Sequence, residues 1–125
     1  MYGDKRVGSG HIVIMKVRGT LKKNSDFRRL YAKGKSAVTP FLVLYARPNR
    51  LGENRLGYTV SAKLGHAVVR NRVRRRLREI YRLNAPRLRQ GYDLVVVARS
   101  RAVGAPYRVL ETAFLRACES LGLTL

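Results

Sequence analysis

The sequence predicts a single α+β domain, an α-β sandwich in which a central sheet is packed by helices. The chain has 125 residues, which is enough for one core. Hydrophobic residues make up 46% of it, a fraction typical of a globular chain. Segments with a two-residue apolar period stand among segments with a helical period, and together they predict the order αβββαβα.

The first predicted helix is short. Its ends carry typical capping, first-turn and terminating residues, which are Asn24 or Ser25, Asp26 and Gly34. Phe27, Leu30 and Tyr31 share one face of this helix. From this spacing alone, all three are predicted to lie in the core.

Three strands are predicted next. A short one covers about 35–39, before Pro40. The second, 41–47, is apolar on both faces, with Phe41, Val43 and Tyr45 opposite Leu42, Leu44 and Ala46. The third, 55–63, has an apolar face and a small polar one, which consists of Gly57, Thr59, Ser61 and Lys63. This polar face would suit the floor of a shallow groove better than a core.

An arginine-rich helix is predicted from about His66 to Asn84, after a break at Gly65. Its apolar stripe is formed by Val69, Val73, Leu77 and Ile80. Asn71 and most of the arginines occupy its sides and far face, while Arg70 and Arg76 flank the stripe. Glu79 is the only acidic residue in this helix, so its positive charges repel one another.

The remaining segments complete the sheet and add a third helix. Residues 93–98 read Asp-Leu-Val-Val-Val-Ala, and the continuous apolar run after Asp93 predicts a strand buried on both faces. A final helix begins near Pro106 and carries an apolar stripe. Cys118 lies in that stripe and is the only cysteine, which excludes an internal disulfide. We expect it to be a small core residue.

The charge predicts a large, densely anionic partner. The net charge is +20, and the 27 basic residues are spread over most of the chain. Nucleic acid is the favoured partner of the arginine helix, because the guanidinium fork binds two phosphate oxygens at once. An anionic membrane and a purely solubilising face are the alternatives. Since no apolar run approaches the ~20 residues of a membrane span and no signal peptide stands out, we expect a cytoplasmic protein.

No catalytic pattern accompanies this charge. The 7 acidic residues are scattered, with no two within four positions of each other. The sequence contains no phosphate-binding glycine loop, nucleophile motif or metal-ligand spacing. These observations predict a binder of nucleic acid that carries no catalytic residue and no dedicated metal site.

Residues 63–78 resemble the signature of the bacterial ribonuclease P protein family. The pattern is Lys-x-Gly-x-Ala-Val-x-Arg-Asn-Arg-x-x-Arg-x-x-Arg, with the Arg-Asn-Arg triplet at 70–72. The opening Leu-Lys-Lys-x-x-Asp-Phe-x-x-Leu-Tyr-x-x-Gly at 21–34 is similar to the start of that family's domain. One departure is Ala62-Lys63, where the family commonly has two lysines.

The resemblance implies a fold and domain limits. The family fold is that of the second domain of ribosomal protein S5, with a left-handed βαβ crossover that departs from the general rule. The resemblance covers nearly all of Leu21 to Leu121, so we expect the ribonuclease P protein domain to span 15–125. Residues 1–14 match nothing in the family and are expected to be a disordered leader or a cloning remnant.

The resemblance also implies a function. The protein would be the accessory subunit of an endoribonuclease that removes the 5′ leader of precursor tRNA, with the catalytic groups and magnesium held mainly by an RNA subunit. The arginine helix would dock on that RNA through Arg70, Asn71, Arg72, Arg74, Arg75 and Arg78. A groove lined by Phe27, Tyr31, Tyr45, Ser61 and Lys63 would bind the leader, because aromatic faces stack on any base.

Two other classes fit the charge. A ribosomal or RNA-chaperone protein would share the basic helix but would show no preference for precursor tRNA. A helix-turn-helix DNA-binding protein would need a second helix shortly before the arginine helix, where the sequence instead predicts a strand.

Overall fold

The computed structural model describes Ile12, Val13, Leu21 and residues 24–125 of the chain. Its elements are β1 (Ile12–Val13), α1 (Asn24–Lys33), β2 (Lys35–Val38), β3 (Leu42–Pro48), β4 (Arg55–Thr59), α2 (Ala67–Asn84), β5 (Tyr92–Ala98) and α3 (Tyr107–Ser120). Single 3-10 turns cover 62–64, 85–87 and 100–102. The α+β class is confirmed, and from Asn24 onward the order of elements is the one that the sequence predicts.

The strands form one mixed sheet in the order β1-β4-β5-β3-β2. β4 and β5 are parallel neighbours, and α2 connects them. The other pairs are antiparallel. Parallel strands require a long connection of this kind, and the arginine helix supplies it. The left hand of this crossover stays a prediction.

Ile12 and Val13 form a strand that the sequence did not predict. They pair with Thr59 and Tyr58 of β4. The rest of the segment 1–14 lies outside the described residues, so its assignment as a leader or cloning remnant stays a prediction.

One face of the sheet packs against α2 and α3 and forms the larger core. Leu42 and Leu44 of β3 meet side chains from both helices there, among them Leu77 and Phe114. The buried α2 residues Val73, Leu77 and Ile80 belong to the stripe that the sequence predicts. The thiol of Cys118 is also in this core, and burial raises its pKa to about 12.

The opposite face of the sheet packs against α1. Phe27 and Leu30 of that helix are buried against Val43, Val95 and their neighbours. The alternation is predicted correctly within β3, because Val43 and Tyr45 face α1 while Leu42 and Leu44 face the larger core. Phe41 was predicted to share the face of Val43, but it precedes the strand and packs against the larger core. Both faces of β5 are buried, as its continuous apolar sequence predicts.

Candidate nucleic-acid interface

The start of α2 is fixed by a tight turn after β4. The Ser61 hydroxyl accepts a hydrogen bond from the Lys63 amide at 3.2 Å and caps the turn at 62–64. Gly65 follows with φ at 143°, a conformation that favours glycine. The Arg70 side chain then donates to the Gly65 carbonyl at 3.2 Å. The turn therefore sets both the direction of α2 and the position of its first arginine.

The basic side of α2 is exposed because its apolar stripe points into the core. Four of the six predicted RNA-contacting side chains are exposed: Asn71, Arg72, Arg75 and Arg78. Arg70 and Arg74 are half-buried. The result is a continuous basic surface on one side of the helix.

The sequence predicts that Arg74 lies on the exposed side of α2, but the structure shows it half-buried. Its Nε atom is buried and has no hydrogen-bond partner in the described part of the chain. Burial, and then the nearby positive charge of Arg70, lower the pKa of Arg74. Because the Nε atom is enclosed, a phosphate could reach this guanidinium only through its Nη groups.

Two other arginines of α2 contact the protein itself. Arg76 donates to the Ala105 carbonyl at 2.8 Å and links α2 to the segment before α3. Arg82 forms a two-bond pair with Glu79, at 3.0 and 2.6 Å. Neither arginine belongs to the predicted RNA-binding set, and these contacts give both of them structural roles.

The predicted leader groove contains a compact aromatic pair. The rings of Tyr31 and Tyr45 lie 4.8 Å apart in an edge-to-face arrangement. The hydroxyl groups of Tyr31 and Thr59 are hydrogen-bonded at 2.9 Å. Tyr45 is 8% exposed, and burial raises its pKa. Of these two rings, the half-buried Tyr31 offers the more accessible surface.

Phe27 lies beneath this pair and is 0% exposed. Its ring packs on Gly57 so closely that a Cβ atom at Gly57 would overlap it. Gly57 and Thr59 were predicted to form the floor of an open groove, but both are buried beneath α1, so this part of the prediction is wrong. A nucleotide could stack on Phe27 only if the ring moved.

The strand predicted over 55–63 ends at Thr59, because Ser61 caps a 3-10 turn there. Ser61 and Lys63 therefore lie in the connection to α2 and not in the sheet. Ser61 is half-buried, and Lys63 is exposed. They therefore connect Thr59, whose hydroxyl is bonded to Tyr31, with the start of the arginine helix.

A third feature was not predicted from the sequence. A polar pocket of about 510 Å³ opens beside α1 and contains Arg29, Arg47, Arg50 and Arg55, with Asp26 and Asp93. Arg55 makes two hydrogen bonds to Asp93, at 2.8 and 2.7 Å, and lies 4.0 Å from Asp26. Arg55 and Asp93 are opposite each other in β4 and β5. Their pairing could therefore be predicted only from the register of these two strands.

The described residues contain no group of three or more His, Cys, Asp or Glu that could hold a metal ion. Within the same part of the chain, no helix is long and apolar enough to cross a membrane.

A small, highly basic α+β domain with a one-sided arginine helix is typical of nucleic-acid-binding proteins. A family model described as Ribonuclease P matches residues 15–122. The chain belongs to the bacterial ribonuclease P protein family, as its signature residues predict.

Two relatives and one solved structure illustrate the match. The ribonuclease P protein component of Alkaliphilus oremlandii is 44% identical over 109 residues, which cover 87% of this chain and 96% of the relative. That of Natranaerobius thermophilus is 48% identical over 97 residues, 78% of this chain and 84% of the relative. The Staphylococcus aureus RNase P protein superposes with a TM-score of 0.79 at 30% identity, covering 87% of this chain and 100% of that one.

Proposed function

We propose that this protein is the protein subunit of a bacterial ribonuclease P. It binds the catalytic RNA subunit and the 5′ leader of precursor tRNA, and it assists the endonucleolytic removal of the leader. The proposal includes a cytoplasmic location, where precursor tRNA is made. The exposed arginine surface of α2, in a chain that belongs to this family, is the observation that supports it most directly.

The arginine surface is proposed to dock on the RNA subunit. Arg72, Arg75 and Arg78 are exposed along one helix, so they can contact successive phosphates of a folded RNA without rearrangement of the core. Arg70 and Arg74 add charge beside them, and Asn71 adds a neutral hydrogen-bonding group. Neutralising closely packed phosphates in this way would lower the magnesium concentration that the RNA needs.

The α1 face is proposed to bind the leader. The accessible edge of Tyr31, with Tyr45 beside it, would contact bases, while Ser61 and Lys63 would contact the backbone. Phe27 contributes from below by holding α1 on the sheet through its contact with Gly57. Contacts to bases through ring surfaces do not read sequence, which suits leaders of varied sequence.

The catalytic groups and the magnesium ions are proposed to belong mainly to the RNA subunit. A protein that needs only to hold two RNAs together requires positive charge and stacking surfaces, and the described residues supply both.

The test is cleavage of precursor tRNA by a bacterial ribonuclease P RNA at low magnesium, with and without this protein. We expect correct cleavage at the 5′ end of the mature tRNA only when both are present. Protein that cleaves without the RNA would contradict an accessory role. Failure to restore cleavage, together with tight binding to unrelated RNAs, would favour a ribosomal or RNA-chaperone protein.

A further inference from the structure

A second surface lies on the opposite side of the sheet from the α1 face. It is a groove of about 590 Å³ between β2 and α3, a size typical of ligand-binding clefts. Its walls are mainly apolar, with Ala37 and Phe41 on one side and Val109, Ala113 and Ala117 on the other. Nothing in the RNA-docking or leader-binding proposal uses this groove.

The rim of the groove is positively charged. Arg108 and Arg116 both line it, and both are exposed on α3. None of the described residues that line the groove is acidic. An occupant that combines apolar side chains with carboxylates would therefore match the groove in both polarity and charge.

The neighbouring strand is open to pairing. β2 is the last strand in the sheet order, and Val38 is 67% exposed. The Thr39 amide donates to the Leu42 carbonyl at 2.9 Å, which makes this a hydrogen-bonded pair of the antiparallel ladder. Because such pairs alternate, the backbone groups of Ser36 and Val38 point away from β3. An added strand could bond to them.

The geometry favours a peptide over a nucleotide. A single-stranded base would need an open aromatic face, and Phe41 is the only aromatic residue among those described as lining the groove. The guanidinium of Arg101 already lies over the Phe41 ring, 5.8 Å from its centre.

We propose that an extended segment of a partner protein, with apolar and acidic residues on the same face, binds this groove as an added strand beside β2. Its backbone bonds to Ser36 and Val38. Its apolar side chains enter the groove over Ala113 and Ala117, and its carboxylates meet Arg108 and Arg116. β5 and β3 separate β2 from β4 in the sheet, so this site can be occupied while RNA occupies the proposed surfaces.

The probe for this site is a fluorescein-labelled ten-residue peptide of repeating Val-Ser-Glu-Ser with blocked ends, measured by fluorescence anisotropy. Its valines and glutamates share one face of an extended strand. We expect saturable binding that the double variant Arg108→Glu and Arg116→Glu weakens by about tenfold, because two attractions become repulsions. The matched control is Arg87→Glu with Arg89→Glu, which makes the same change in net charge at two exposed arginines outside the groove. Equal weakening by the two double variants would overturn the proposal, because it would show that binding depends only on the net charge of the protein.

Val38→Pro tests strand addition separately. Proline removes an amide that points away from β3, so the variant should keep the wild-type melting temperature and lose peptide binding. Unchanged binding by Val38→Pro would overturn the proposed pairing. The same peptide with serine in place of each valine keeps the charge and should bind much more weakly, and equal binding would rule out a role for the apolar groove.

Two further results would assign the groove to another occupant and overturn the proposal. Displacement of the peptide by a ten-nucleotide oligouridine, with oligouridine binding that Arg108→Glu and Arg116→Glu also weaken, would assign it to RNA. A wild-type dimer in sedimentation that Val38→Pro converts to a monomer would assign it to a second copy of this chain. Precursor tRNA cleavage is a separate readout, so failure of this proposal can be told from failure of the proposed function.

Discussion

The hydroxyl groups of Tyr31 and Thr59 lie 2.9 Å apart and join the end of α1 to the last residue of β4. Thr59 is buried and Tyr31 is half-buried, so this bond lies at the boundary between core and surface. It fixes the Tyr31 ring against Tyr45 and so holds the accessible part of the proposed leader groove in one arrangement.

Tyr31→Phe should cost about 1 kcal/mol of folding free energy, because it removes one hydrogen bond and leaves the buried Thr59 hydroxyl without this partner. The ring remains, so leader affinity should fall only slightly. Tyr31→Ala should remove most of the leader's contribution to affinity at a similar or larger cost in stability. Urea unfolding and binding of precursor tRNA with and without a leader would measure both effects. Equal leader dependence in Tyr31→Ala and wild type would contradict a leader-binding role for this ring.

Phe27→Ala should destabilise the fold by about 3–5 kcal/mol, because it empties a fully buried ring site over Gly57. We therefore expect a lower melting temperature and weaker binding of tRNA with and without a leader. Phe27→Leu is the matched control, since it keeps an apolar side chain at this position. A variant that keeps its melting temperature and loses only leader-dependent binding would show that Phe27 itself contacts the leader.

Arg72→Ala should weaken binding to the RNA subunit and reduce the slope of log affinity against log salt by about one unit, as expected for one lost phosphate contact. Arg70→Ala should act in the same direction and also remove the bond to the Gly65 carbonyl. Arg76→Ala is the control on the same helix, because Arg76 bonds to the Ala105 carbonyl. It should lower stability and leave the salt slope unchanged. Identical slopes for Arg72→Ala and wild type would count against docking through α2.

Cys118 should be inert to thiol reagents at pH 8 in the folded protein, because burial holds its pKa at about 12, above the ordinary value of 9.0. The unfolded chain loses this proton first, so the contribution of Cys118 to folding stability should fall as pH rises above about 9. Cys118→Ala should remove this part of the pH dependence. Rapid modification under native conditions, at a rate unaffected by stabilising salts, would contradict the burial.

The faces of β3 and β5 and the stripe of α2 could be predicted because their periods alone decide which side chains share a face. Leu42 and Val43 point to opposite sides in any strand, and Val73 and Leu77 share a face in any helix. The spacing in α1 likewise predicts that Phe27 faces the core, but it does not predict that the ring is completely enclosed. Its burial depends on Gly57, thirty positions further along the chain, where the absence of a side chain makes room for the ring.

The contacts between charged residues also could not be predicted from the sequence. Pairing of Arg55 with Asp93 requires the parallel register of β4 and β5, which no local pattern encodes. The enclosure of Arg74 Nε depends on how α2 sits on its neighbours. The groove beside β2 likewise depends on which strand ends the sheet and where α3 packs.

The parallel pairing of β4 with β5 has a consequence for how the chain folds. The bonds between Arg55 and Asp93 join residues 38 positions apart, and all of α2 lies within that interval. Forming this pair closes a long loop, which is an entropically slow step. The arginines of α2 repel one another, so they would not stabilise the helical conformation of an isolated α2 peptide. We therefore expect the arginine helix to become protected from hydrogen exchange in the same late kinetic phase as β5, so that a chain still folding presents no finished arginine surface to the proposed RNA partner.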